Sequence, residues 1–331
     1  MDKKEAVLLI GGGGYVGTEL ADHLLQKNYR VIVYDLFIYG NFLSKDKNLS
    51  FISGDIRDLQ SLKNIIKDID IVIHLACISN DPSFDLNPEL GKSINFDPFE
   101  DLVRLSKDNG VKRFLYASSS SVYGVKSEIN VTEDFSLNPL TDYSKYKVMC
   151  EEILLKYNSK NFNCTIIRPA TVCGYSRRQR LDVVVNILTN LAYNEKRIKI
   201  FGGEQLRPNI NIFDMCNVYV HILEQPYEKI SGEIFNAGYE NLSVNKVAQL
   251  VQETVPFNVT VEKVSTNDNR SYHISSEKIK NKIGFENKKN IKDAINDLVT
   301  AFKKNLFSEP LSNEIYFNIK RHIHCFIIYI C

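Results

Sequence analysis

Apolar and polar positions follow two alternating periods through the first half of this chain. Ala6–Ile10 is a continuous apolar run, as expected of a strand buried on both faces. Residues 14–27 then place Val16, Leu20 and Leu24 at helical spacing. Further strands are predicted at Arg30–Tyr34, Leu49–Ser53, Asp70–Leu75, Arg113–Ala117 and Cys164–Ile167, the last stopped by Pro169. Between the third and fourth, Leu59, Leu62, Ile65 and Ile66 mark a helix face. A helix over Leu90–Lys107 should end at Asn109-Gly110, and Tyr143–Tyr157 reads as a long amphipathic helix. This strand–helix repetition predicts an α/β fold on a doubly wound parallel sheet.

The second half changes character. Turn signals crowd in at Gly174, Gly202-Gly203, Pro208, Pro226, Gly232 and Gly238. Helices are expected at Asp182–Tyr193, Asp214–Leu223, Asn245–Glu253, Ser276–Lys282 and Ile291–Lys303. The pattern suggests a nucleotide-binding domain over residues 1–170, with a return segment near 210–238 that includes Ile234-Phe235-Asn236. A smaller, interleaved α+β substrate domain would take residues 171–209 and 239–305. Residues 306–331 form a tail without an assigned role. Its apolar run from Ile323 to Cys331 could be a docked strand, an oligomer contact, an aggregation-prone end or an interfacial membrane contact.

Charge and cysteine usage narrow the class. The 41 Lys+Arg against 40 Asp+Glu give a net charge of +1, which argues against a nucleic-acid coat protein and against an acidic solvating chain. No apolar run reaches the roughly 20 residues of a membrane helix. The seven cysteines are an odd number without a C-x-x-C pair, which reads as free thiols in a reducing compartment, and the chain is expected to be cytoplasmic. His322, His324 and Cys325 are close in sequence, but with no acidic partner or second cluster no metal site is assigned.

The sequence Gly11-Gly12-Gly13-Gly14-Tyr15-Val16-Gly17 falls between the first strand and the first helix. Glycines there let the backbone approach a pyrophosphate, which the helix N-terminus attracts. Asp35 follows Gly17 by 18 residues, at the end of the second strand, where a carboxylate can accept hydrogen bonds from a ribose diol. It would repel a 2′-phosphate, and no Arg or Lys follows before Lys45, so NAD is favoured over NADP. Asp55, after the third strand, could hold the adenine amine.

Tyr143 and Lys147 are four residues apart and share a helix face. A free tyrosine has a pKa near 10, too high for a base at neutral pH. An ammonium and a nicotinamide cation nearby would favour the phenolate. Ser118-Ser119-Ser120-Ser121 follows the fifth strand, at the carboxyl end where such sheets bind ligands.

In order and spacing these residues resemble the extended short-chain dehydrogenases, the NAD-dependent epimerase/dehydratase group acting on nucleotide sugars. The likeness spans about residues 5–305. It rests on Gly11/Gly14/Gly17, Asp35, Gly54-Asp55, His74-Leu75-Ala76, Asn95, Ser119 with Tyr123-Gly124, Tyr143/Lys147 and Arg168-Pro169 before Gly174. It continues through Arg207 ahead of Asp214, Phe235-Asn236-Ala237-Gly238 and Arg270. The resemblance implies a Rossmann-type fold in which Gly11, Gly14, Tyr15, Val16, Gly17, Asp35, Asp55, Ile56, Leu75, Ala76 and Pro169 bind NAD. Tyr143 would be the general base and acid, with Lys147 holding the ribose. Ser119 would bond the sugar oxygen beside Ser120. Thr171 falls where many relatives carry a substrate-binding Asn. Arg207 and Arg270 match arginines that clamp the substrate diphosphate, a site to which Arg177, Arg178 and Arg180 could add.

Dehydratases of this group carry an acidic pair just after the catalytic Ser or Thr; here those positions are Ser120 and Ser121, and hydroxyls cannot do that acid–base work. Redox chemistry at one carbinol remains, most often C4, which gives a 4-epimerase. A 4-oxidase or 4-ketoreductase would use the same residues, and a non-catalytic NAD sensor is the non-enzyme reading. Relatives commonly dimerise, which points to a homodimer through the 90–107 and 143–157 helices, with Met149, Ile153 and Leu154 at the contact.

Overall fold

The computed structural model describes residues 4–126, 128–265 and 273–329. Strands β1 (Ala6–Ile10), β2 (Arg30–Asp35), β3 (Leu49–Ser53), β4 (Ile71–His74), β5 (Arg113–Ala117) and β6 (Asn163–Pro169) fall within a residue or two of the predicted runs. The later strands are β7 (Thr171–Cys173), β8 (Arg197–Phe201), β9 (Leu206–Asn211), β10 (Ile234–Ala237), β11 (Glu240–Ser243) and β12 (Thr260–Val264). The main sheet has seven strands in the order β10-β6-β5-β4-β1-β2-β3, every pair parallel. Strand order reverses between β1 and β4, which opens a crevice at their carboxyl ends.

Alternation along β1 shows why the run is wholly apolar. Val7 and Leu9 enter one core, with Leu20 and Leu24 of the helix Tyr15–Gln26 and with Met215, Tyr219 and Ile222 of the helix Ile212–Leu223. Ala6, Leu8 and Ile10 enter the opposite core, against Leu62, Leu102, Val103, Cys150 and Leu154. Each Leu or Ile so buried contributes about 1.5–3 kcal/mol.

Two expectations are corrected here. The predicted Leu90–Lys107 helix is two helices, Pro88–Asn95 and Phe99–Asp108. Pro98, which cannot donate an in-helix N–H, stands at the break. Leu154, expected at a subunit contact, is fully buried in its own subunit's core. Among those three residues Met149 is the exposed one, at 40%.

In the second half, β9 lies between β11 and β7, and β8 pairs with β12. Helices Val184–Glu195, Val244–Thr254 and Ile291–Lys303 cover these short strands through Val185, Leu188, Val247, Val251 and Ile295. The tail does not extend a sheet. Phe307 and Tyr316 pack on Leu181 and Phe302, and Asn318–Tyr329 is a helix. No helix among the described residues is long and apolar enough to cross a membrane.

His74, at the end of β4, sits among Phe99, Phe114 and Tyr116 and is buried. Burial first, and the Lys147 ammonium second, push its pKa down to about 3. The folded ring stays neutral while the unfolded ring takes a proton near pH 6.5. Its contribution to stability is therefore lost as pH falls from about 6.5 through about 3. A His74→Leu variant should show a shallower fall in urea midpoint between pH 6.5 and 4, measured beside the parent chain.

Candidate active site

A cavity of about 500 Å³ occupies the crevice, within the ~300–1,000 Å³ typical of small-ligand pockets. The carboxyl ends of six strands supply its lining, β3 through Asp55 and Ile56. β1 leads to Gly11, Gly14, Tyr15, Val16 and Gly17; β2 ends at Asp35; β4 leads to Leu75 and Ala76; β5 leads to Ser119 and Ser120; β6 ends at Pro169. Tyr143, Lys147, Thr171 and Arg180 also face it.

The glycine loop has the shape a dinucleotide needs. Gly11 has φ +83°, and a Cβ there would stand 2.4 Å from the Ala76 nitrogen. A Cβ on Gly17 would stand 2.5 Å from Gly12 Cα and 2.7 Å from the Gly11 carbonyl oxygen. The helix Tyr15–Gln26 begins at Gly14 with no side-chain cap, so its first N–H groups are offered to an anion. The Asp35 carboxylate accepts from the backbone N–H of Gly13 at 3.0 Å and of Phe37 at 2.7 Å, fixing the loop against β2. Burial pushes the Asp35 pKa up. Burial also pushes Asp55 up, but hydrogen bonds from Arg57 outweigh it and hold that carboxyl low. A carboxylate offers about four lone-pair sites, so this pairing does not exhaust Asp55. Gly17→Ala should weaken NAD binding by about 5- to 150-fold, because the clash is with backbone; titration with NAD checks it.

Thr141 caps the helix Asp142–Tyr157 in a reciprocal box with Ser144, which sets Tyr143 in its first turn. One turn on, Lys147 is 3% exposed and its Nζ donates to the Ala117 carbonyl at 2.7 Å. The same Nζ lies 5.7 Å from the Tyr143 ring centre. Ser119 hydrogen-bonds Tyr143 and lies 2.9 Å from the Ser121 hydroxyl. Burial drives the Tyr143 pKa well up, Cys77 and Asp81 add to that, and the Ser119 bond and Arg180 only partly oppose it.

The arginines separate. Arg180 lines the cavity, pairs with Asp182 at 2.5 Å and reaches the Ser79 hydroxyl. Arg177 does not join the site: it pairs with Glu19 and Asp22 on the first helix. Arg207 borders an adjoining cavity of about 120 Å³ that shares Asp81 and Ser121 with the main one. Arg270 lies outside the described residues. His322 bonds Tyr39 while His324 faces Glu314, so the tail's histidines part.

Tyr39, Ser79, Asp81, Asp182 and Asn318 line the cavity and were not singled out from sequence; His322, weighed there only as a metal ligand, lines it too. Asn318 and His322 carried one usable signal: they are four apart, which places them on one face of a helix.

A doubly wound parallel sheet with a glycine loop at its switch point, and a Tyr–Lys pair one turn apart beside it, frames a candidate dinucleotide site. The chain belongs to the NAD-dependent epimerase/dehydratase family, whose model matches residues 7–238. It is 27% identical over 267 residues to a UDP-glucose 4-epimerase of Lactobacillus helveticus, covering 74% of this chain and 81% of that one. It is 29% identical to a dTDP-D-glucose 4,6-dehydratase of Dictyostelium discoideum, covering 73% of this chain and 61% of that one. Among solved structures, the UDP-glucose 4-epimerase of Thermotoga maritima with UDP-glucose superposes with a TM-score of 0.81 at 25% identity, over 91% of this chain and 100% of that one. The UDP-glucuronic acid 4-epimerase of Bacillus cereus, in complex with UDP-glucuronic acid and NAD, gives 0.81 at 26% identity, over 91% and 99%. The chain is thus an NAD-dependent, nucleotide-sugar-modifying enzyme by family.

Proposed function

We propose that the protein is a nucleotide-sugar 4-epimerase working through a 4-keto sugar. The observation that carries this reading is a buried phenol, bonded to Ser119 one turn from Lys147, in the cavity beside the glycine loop, with hydroxyls where an acid–base pair would drive dehydration. Gly11, Gly14, Tyr15, Val16 and Gly17 would hold the pyrophosphate, Asp35 the adenosine ribose, and Asp55 and Ile56 the adenine. Leu75, Ala76 and Pro169 would wall the nicotinamide, with Lys147 on its ribose. NAD, when bound, accepts hydride from the sugar and gives it back.

As the phenolate, which the Lys147 ammonium and the cationic nicotinamide of bound NAD would favour, Tyr143 would take the proton of the C4 hydroxyl, and the phenol so formed would later return it to the ketone oxygen. Ser119, bonded to Tyr143, holds that same oxygen. Ser120 and Thr171 would orient the sugar, while Arg180, Arg207 and Arg270 would meet the diphosphate. Rotation of the keto sugar before hydride return inverts C4. A 4-oxidase or 4-ketoreductase would follow if that rotation were blocked. Dehydration finds no support at Ser120 and Ser121; of the cavity's carboxylates, Asp81 and Asp182 are engaged by Thr141 and by Arg180, and Asp35 and Asp55 by backbone N–H groups and by Arg57.

The test is incubation with UDP-, GDP-, CDP- and dTDP-hexoses, UDP-glucose first in view of the relatives, with products resolved by NMR. A C4 epimer at unchanged mass supports the reading. Loss of water indicates a dehydratase, and net loss of two hydrogens an oxidase; either overturns it. Light scattering tests the accompanying homodimer, which would use the exposed Met149 side of the helix Asp142–Tyr157.

A further inference from the structure

The three arginines of the loop 177–180 have the same chemistry and different company. Arg177 and Arg180 each carry a carboxylate partner. Arg178 is 2% exposed, and among the described residues it forms no ion pair. Its guanidinium stacks 3.5 Å from the Tyr39 ring centre, and its Nη2 donates to the Asn318 Oδ1 at 3.0 Å. Its Nε is buried without a hydrogen-bond partner. Asp182 and Asp35 act on its charge without pairing with it, so this buried cation keeps an unmatched donor that an anion in the cavity could meet.

The position of Arg178 says which anion. It lines the main cavity together with Gly14, Tyr15, Asp35 and Tyr39. Its charge acts on Asp35 at the end of β2 and on Tyr15 at the start of the first helix, so it lies within electrostatic range of the glycine loop. The tail holds it there. The Asn318 backbone N–H donates to Asp182 at 2.7 Å and its Nδ2 to the Ser79 hydroxyl at 2.9 Å, which leaves Oδ1 turned to Arg178. The Tyr39 hydroxyl bonds His322 at 2.9 Å, and Arg321 donates to the Ile38 carbonyl at 2.6 Å. One helix of the tail thus grips both the loop after β2 and the arginine above it.

We propose that the C-terminal helix Asn318–Tyr329 completes the dinucleotide site by presenting Arg178, through Asn318 and Tyr39, to the cofactor's pyrophosphate. Arg178 is the binding residue; Asn318 and Tyr39 are positioning residues. The proposal rests on the family's use of NAD, not on which sugar reaction follows.

The test is calorimetric titration of the full chain and two variants with NAD, ADP-ribose, NADP, adenosine and UDP. Arg178→Gln should weaken NAD and ADP-ribose by about 10- to 100-fold, the range of one charged hydrogen bond, and leave adenosine and UDP within about twofold. Asn318→Asp keeps the side chain's shape but supplies Arg178 with an internal carboxylate. It should weaken NAD and ADP-ribose in the same selective way, with apo-protein melting unchanged or raised. A merely structural role would weaken adenosine equally, and that result overturns the proposal. So do unchanged NAD affinity in both variants, a loss confined to NADP (the 2′-phosphate), or a loss confined to UDP (the substrate diphosphate). Parent protein that binds neither NAD nor ADP-ribose removes the cofactor reading itself, and this proposal with it.

Discussion

Tyr143→Phe should lower turnover of the sugar substrate by about 10²- to 10⁴-fold, while NAD binding stays within a few-fold of the parent chain. The substitution removes one oxygen and leaves the ring. That ring packs against Phe84 at 6.3 Å, edge to face, in a small cluster with Ile78, so the fold around it keeps its filling. Lys147 is unaffected, because its Nζ is anchored on the Ala117 carbonyl and not on the phenol. What disappears is the only proposed path for a proton to and from the carbinol oxygen. The Ser119 hydroxyl cannot replace it: its pKa is far above that of a phenol, and it is already bonded to Ser121. Steady-state kinetics with the best hexose of the panel, together with an NAD titration of the same sample, separates the two effects. Undiminished turnover in a variant that still binds NAD would remove Tyr143 from the mechanism.

How far such a site can be read from sequence depends on what places each residue. The strands of the main sheet were legible because both faces are buried, so Ala6–Ile10 had to be apolar throughout. The glycine loop was legible because only glycine tolerates Ala76 so close to Gly11. Tyr143 and Lys147 were legible because helix periodicity alone puts them on one face. The arginines of the loop 177–180 were not separable, since only tertiary packing brings Glu19 to one and Asn318 to another. The tail was misleading for a related reason. Its apolar residues dominate any local reading, whereas its placement is set by polar groups, Asn318 on Asp182 and Arg321 on the Ile38 carbonyl, 136 and 283 residues apart in sequence. Burial of the Tyr143 phenol, which pushes its pKa up, was likewise not legible, because sequence shows the neighbouring amine but not the loss of water.

The largest effect on stability is expected at Glu151, where replacement by Leu should cost about 3–5 kcal/mol. Glu151 lies one turn beyond Lys147 on the helix Asp142–Tyr157, and pairs with Arg168 of β6 through bonds of 2.6 and 3.0 Å, both side chains 3% exposed. It also accepts from the Ser118 hydroxyl at the end of β5. Arg168 in turn donates to the Tyr123 hydroxyl at 2.8 Å, which donates to Asn236 of β10 at 2.7 Å. Burial alone would pull the guanidinium's pKa down; Glu151 more than offsets it and raises it. Removing the carboxylate leaves that cation uncompensated in the interior, and also frees the helix that carries Tyr143 and Lys147 from β5 and β6. The double replacement Glu151→Leu with Arg168→Met removes both charges and should recover most of the loss, since no stranded ion remains. Urea unfolding of the four chains in this cycle decides the matter. A single variant within 1 kcal/mol of the parent, or a double variant as unstable as the sum of the singles, would mean that packing around these side chains, rather than the pairing of their charges, holds the helix to the sheet.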